Sequence, residues 1–173
     1  GSTDTFTVVL DAQPTSDVVI TVTPNDISEV STSGTLTFTP LNWDTPQTVT
    51  VTGVDEDIVD GTIISTITLA VVDATSNDNF DAVADQTVSV STTDDDVAGF
   101  TVDELDGSTE VDESGTTDTF TVVLDAQPTS NVVITLSSND GSEISIPSSL
   151  TFTSANWDTA QTVTVTGVDD SVI

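Results

Sequence analysis

Carboxylates are the only side chains in this sequence that can carry ionic chemistry. Thirty of the 173 residues are Asp or Glu, and Lys, Arg, His, Cys and Tyr are absent. The acids gather in a few turns: Asp26 with Glu29; Asp55, Glu56, Asp57 and Asp60; Asp94, Asp95 and Asp96; Asp103, Glu104, Glu110, Asp112 and Glu113. Further along come Asp140 with Glu143, then Asp169 with Asp170. Loop carboxylates of this kind suit a hard cation, since calcium takes about six to eight oxygens at roughly 2.3–2.6 Å. Adjacent aspartates such as Asp94–Asp96 repel one another unless a divalent ion shares their oxygens. The competing reading is a solvated, halophile-like acidic surface. Clustering by itself leaves both open.

The missing residue types exclude much else. A formal net charge of −30 with no cationic side chain rules out electrostatic nucleic-acid binding and a polybasic membrane patch. No Ser-His-Asp triad, thiolate nucleophile, Schiff-base lysine, Walker lysine or His/Cys zinc site can be built. A glycosidase-like pair needs only two carboxyls, but no pair stands out and no cleft is implied, so no enzyme is expected. No apolar run approaches the roughly 18 residues of a spanning helix, so direct membrane insertion is not expected. The chain has no disulfide, no side-chain salt bridge and no lysine for an isopeptide staple. Mutual repulsion opposes compaction, so a core or bound cations must outweigh it. Hydrophobic residues at 35% and a mean hydropathy of +0.09 supply enough apolar material for a core. There is no Asn-x-Ser/Thr sequon.

The acidic turns belong to an internal repeat. TDTFTVVLDAQPTSDVVI at Thr3–Ile20 returns as TDTFTVVLDAQPTSNVVI at Thr117–Ile134. The 114-residue register runs without a gap from Gly1/Gly115 to Val59/Ile173, with 18 differences in 59 pairs. That period suits one β-sandwich of about 100 residues and is too long for a helical solenoid unit. Alternation at Phe6, Val8 and Leu10 predicts a half-buried strand. Val18–Val22, Leu36–Phe38, Thr48–Thr52, Ile63–Val71 and Thr87–Val90 read as further strands, rich in Thr and Val as pleated surfaces favour. Ile63–Val71, the longest and most apolar, is expected to be buried. Pro14, Asn25-Asp26, Gly34, Pro40, Gly53 and Asp60-Gly61 mark turns. The expected class is all-β: antiparallel sandwiches in tandem. Domain one is placed at 1–96 and domain two at 97–173. By register, the first lacks an opening strand equivalent to Gly99–Asp112, and the second lacks closing strands equivalent to Asp60–Asp96.

This layout resembles the Calx-beta fold family and the related tandem repeats of large bacterial surface proteins. The resemblance rests on LTFTPLNWDTPQTVTVTGVDEDIVDG at Leu36–Gly61, its copy at Leu150–Ile173, and the acidic run at Asp94–Asp96. It implies an Ig-like sandwich with several calcium ions near the seam between repeats. Carried over by position, the implied ligands are Asp55, Glu56, Asp60 and the carbonyl of Ile58, with Asp57 in the same turn. Asp94, Asp95 and Asp96 match the closing acidic run. Glu104 or Glu113 matches a glutamate of the opening strand, and Glu29 and its counterpart Glu143 match an acid before the GTLTF-like strand. In the second copy Asp169 and Asp170 match Asp55 and Glu56, while Ser171 replaces Asp57. Two other calcium patterns are not met: Asp55–Gly61 departs from EF-hand spacing, and no glycine-rich nonapeptide occurs.

Trp43 and Trp157, each in an NWD turn before a strand, could stack on carbohydrate; covering the sandwich edge is the plainer reading, with Asn42 and Asp44 shaping the turn. Phe6, Phe38, Phe120 and Phe152 read as core. The expected function is structural: a calcium-stiffened extracellular repeat at the bacterial cell surface, in an adhesin stalk or matrix fibre, with neighbouring repeats as its partners. The alternative is a self-assembling subunit of a filament, sheath or surface layer, whose partners are identical chains.

Overall fold

The computed structural model describes residues 1–105 and 107–169. They form two compact units: Gly1–Glu56 with Asp60–Asp94, and Asp57–Val59 with the segment from Asp95 onward. Both are built from antiparallel sheets.

The first unit contains β1 (Thr3–Val8), β2 (Val18–Pro24), β3 (Val30–Thr32), β4 (Leu36–Phe38), β5 (Gln47–Gly53), β6 (Ile63–Val71) and β7 (Gln86–Thr92). One sheet has the order β1-β5-β3 and the other β4-β2-β6-β7. Apolar residues at every second position turn to one face of a strand, and here both sheets turn that face inward. Val18, Ile20 and Val22 of β2, Leu36 and Phe38 of β4, Val49 and Val51 of β5, and Ile67 and Leu69 of β6 form one core, with Val30 of β3. Intervening threonines such as Thr48 and Thr37 are exposed. Strand β6 is central, paired to β2 and β7, yet only one of its faces is fully covered. Ser65, Ile67 and Leu69 are buried while Ile64 is 63% exposed. The apolar run therefore marks an interior position in the sheet, not burial on both faces. Two 3-10 turns, Asp73–Thr75 and Asp78–Phe80, connect β6 to β7.

The second unit contains β8 (Phe100–Glu104), β9 (Thr117–Leu124), β10 (Val132–Thr135), β11 (Ile144–Ser145), β12 (Ser149–Phe152) and β13 (Gln161–Gly167). Its sheets run β11-β13-β9-β8 and β10-β12. Val122, Leu124, Leu150, Phe152 and Val163 make its core, with Trp157 packed against them. Asp57–Val59 belongs to this unit: Gln127 N–H donates to the Asp57 carbonyl at 2.6 Å, and Ile58 bridges Gln127 in parallel.

Phe38 and Phe152 are fully buried, whereas Phe6 and Phe120 are only half-buried. In the NWD turns the asparagine, and not the aspartate, fixes the backbone. Asn42 Oδ1 accepts from Thr39 N–H at 2.6 Å and from the Thr39 hydroxyl at 3.0 Å. Asn156 repeats this with Thr153.

Candidate metal centre

In the first unit, the register of β3 against β5 creates the site. Val30 lies opposite Gly53, and Val54 N–H donates to the Glu29 carbonyl at 2.9 Å. The residue entering β3 is therefore held beside the chain leaving β5, which continues at once into Asp55 and Glu56. The turn before Glu29 is fixed by Asp26. Its carbonyl accepts from Val30 N–H at 3.1 Å, and its carboxylate accepts from the Ser28 N–H at 3.0 Å and the Ser28 hydroxyl. The Ser28 hydroxyl, helped by the backbone, holds the Asp26 carboxyl below the usual aspartate range.

The loop from β5 to β6 closes through Asp94. One Asp94 oxygen accepts from the N–H groups of Asp60 and Gly61, at 2.9 and 2.8 Å. Gly61 makes this possible with a φ of 79°, left-handed backbone that glycine adopts without a Cβ clash. On the other side, the hydroxyl of Thr92, the last residue of β7, donates to Glu29 Oε2 at 2.9 Å.

The outcome is convergence. Glu29, Glu56 and Asp60 each present a carboxylate oxygen within 4.8 Å of the other two, with Glu29 buried, Glu56 half-buried and Asp60 exposed. Oxygens on opposite sides of a calcium ion lie about 4.6–5.2 Å apart, twice the Ca–O distance, so the spacing fits one shared ion. The donors are all hard oxygens, as calcium requires, and three carboxylates offer up to six of them. Glu29 is only 9% exposed. The chain has no cationic side chain to offset this group.

Among the described residues no other set of three acids converges in this way. Asp55 is exposed beside the triad. Asp94 acts here as the brace of the Asp60–Gly61 backbone. Asp57 and Ile58 are placed with the second unit, as are Asp95 and Asp96. Glu104 is exposed on β8, and Glu113 is exposed in the turn that Asp112 closes by accepting from Ser114. Glu143 sits in a turn that repeats the Asp26–Glu29 geometry. Val168 N–H donates to its carbonyl at 2.8 Å, and Asp140 accepts from Ser142 as Asp26 does from Ser28. Unlike Glu29, Glu143 is exposed. Asp169 is exposed, and Asp170 lies outside the described residues.

No protein-family model matches the chain, and no curated protein matches it either.

A feature not singled out from sequence lies in the 3-10 segment. Loss of hydration, then the nearby charges of Asp73 and Asp78, push the Asp81 carboxyl above its usual range. The spacing of those acids over Asp73–Asp81 was visible, but only the turns bring their charges to bear on one group.

Proposed function

We propose that this chain is a structural, calcium-stiffened tandem β-sandwich repeat of a long extracellular bacterial surface protein, an adhesin stalk or matrix fibre. The observation that carries the reading is the convergence of Glu29, Glu56 and Asp60 on one point. A buried glutamate held against two other carboxylates is unfavourable without a countercharge, and a calcium ion supplies two. The ion ties the entry of β3 to the β5–β6 loop, and through Asp94 that loop is already tied to the end of β7. Three segments at one end of a sandwich are thus locked together, which resists fraying under pull.

Extracellular calcium modules bind at about 10⁻⁴–10⁻³ M. At a hundredfold excess, binding only the folded state adds about 2.7 kcal/mol, a large part of a typical domain's 5–15 kcal/mol. The repeat is then firm where calcium is abundant and softer where it is scarce. The test is thermal unfolding at fixed ionic strength in calcium and in chelator. A calcium-specific rise in melting temperature supports the proposal. An equal rise with sodium alone would mean that the acids form a solvated halophilic surface.

A further inference from the structure

The inner face of β6 carries one polar side chain at a core position. Ser65, Ile67 and Leu69 alternate toward the facing sheet and are buried, Ser65 completely. The Ser65 hydroxyl has no hydrogen-bond partner among the described residues. A buried hydroxyl without a partner destabilises a fold, and an alanine there would carry no such cost.

The strand register places this hydroxyl beside the metal centre. Ile63 of β6 lies opposite Thr92 of β7, and Ser65 lies opposite Val90. Residues opposite one another in an antiparallel pair share a face. Val88 and Val90 pack on the core, so Thr92 belongs to the same inner face. Thr92 and Ser65 are then diagonal neighbours, with Cα atoms about 7–8 Å apart and Cβ atoms somewhat closer. Thr92 turns its hydroxyl to Glu29 Oε2. Ser65 therefore stands one residue pair inward from the Thr92–Glu29 hydrogen bond, on the buried side of a site whose Asp60 is exposed. The facing strand keeps this layer open. Val49 and Val51 of β5 point into the core, and the next residue on that face is Gly53. A Cβ there would already touch the Thr92 methyl, at 3.5 Å, so a larger side chain would fill the layer into which Thr92 projects.

We propose that Ser65 is a positioning residue of the metal centre: its hydroxyl holds a water of the ion's shell, enclosed between the two sheets. Calcium takes about six to eight oxygens and commonly keeps water among them. Three carboxylates offer at most six, and one oxygen of Glu29 is already held by Thr92. A buried water needs about two to four polar partners. Here its oxygen faces the cation, and its two protons go to Ser65 Oγ and Thr92 Oγ1. Hydroxyls on diagonal neighbours are separated by about the span of two end-to-end hydrogen bonds of roughly 2.8 Å each. The serine is thus costly in the empty site and used in the loaded one. This deepens the calcium reading and rests on it.

The test compares the full wild-type chain with Ser65→Ala at fixed ionic strength. The substitution removes one oxygen and adds no bulk, so the core is retained. By titration calorimetry Ser65→Ala binds calcium about tenfold more weakly, the usual loss when a group supporting a metal ligand is removed. In chelator it melts above wild type, and in calcium that lead shrinks or reverses. With terbium as the probe, luminescence lifetimes in light and heavy water report at least one coordinated water in the wild type. A serine that matters only to packing shifts both melting temperatures equally and leaves the affinity unchanged. That result, or a wild-type ion with no coordinated water, overturns the inference and leaves the calcium reading standing. A wild type that takes up no calcium overturns both, and is told apart by the absence of any binding heat.

Discussion

Replacing Glu29 by Gln separates the electrostatic cost of the triad from its use. Two unit charges at the outer limit of 4.8 Å within which the three oxygens lie repel by about 0.9 kcal/mol at the dielectric of water and about 3.5 kcal/mol at an effective value of 20. Glu29 takes part in two of the three pairs, so Glu29→Gln relieves about 2–7 kcal/mol, with salt screening favouring the lower figure. The glutamine amide oxygen still accepts from Thr92, so that hydrogen bond survives. In chelator the variant should be more stable than wild type by about 2 kcal/mol, a rise of roughly 8–16 °C in melting temperature for a domain of this size. In calcium the wild type gains about 2.7 kcal/mol at a hundredfold excess. The variant, short of one carboxylate of three, gains far less, and its lead disappears. The assay is differential scanning calorimetry of both proteins with calcium and with chelator. A variant that is less stable in chelator, or that keeps the full calcium response, would refute the reasoning.

Other expectations follow from the surrounding hydrogen bonds. Asp26 has a lowered folded-state pKa owing chiefly to Ser28, so its stabilisation is present above the unfolded value of about 3.9 and is lost as pH falls through the folded one. Ser28→Ala should therefore destabilise near neutral pH and match wild type at the acid end, as acid titration of unfolding will show. Asp81 has a raised pKa, so its protonated form favours the fold and that benefit is lost as pH rises through the folded value; Asp81→Asn should be more stable than wild type near pH 7 and equal to it in acid, read by urea denaturation at both pH values. Asp94→Ala leaves the N–H groups of Asp60 and Gly61 without their acceptor and should weaken calcium binding about tenfold, about 1.4 kcal/mol of the roughly 1.5–3 kcal/mol of a charged hydrogen bond, measured by titration calorimetry.

The regular strands were legible because period-2 alternation is strong in each. β2, β4, β5 and β7 lie where Val18–Val22, Leu36–Phe38, Thr48–Thr52 and Thr87–Val90 had placed them. β3 was not foreseen: three residues, Val-Ser-Thr, carry too little pattern, and the strand exists because β5 offers it an edge. The 3-10 turns at Asp73–Phe80 likewise depend on tertiary packing, with Asn77 buried and donating to Thr15 and Ser16. For the site, residue types were legible and partnership was not. Glu29 lies 27 and 31 residues from Glu56 and Asp60, and only the β3–β5 register brings them together. The Asp94 run could be read as acidic, but its role as acceptor for the Asp60–Gly61 backbone depends on Gly61 turning left-handed.

The central claim is that Glu29, Glu56 and Asp60 hold one calcium ion, and its most direct test is an anomalous-scattering map of crystals grown with a heavy calcium substitute such as terbium. The account predicts a strong peak about 2.3–2.6 Å from oxygens of all three residues, displaced by excess calcium. No peak there, or density confined to exposed acids elsewhere, would contradict it.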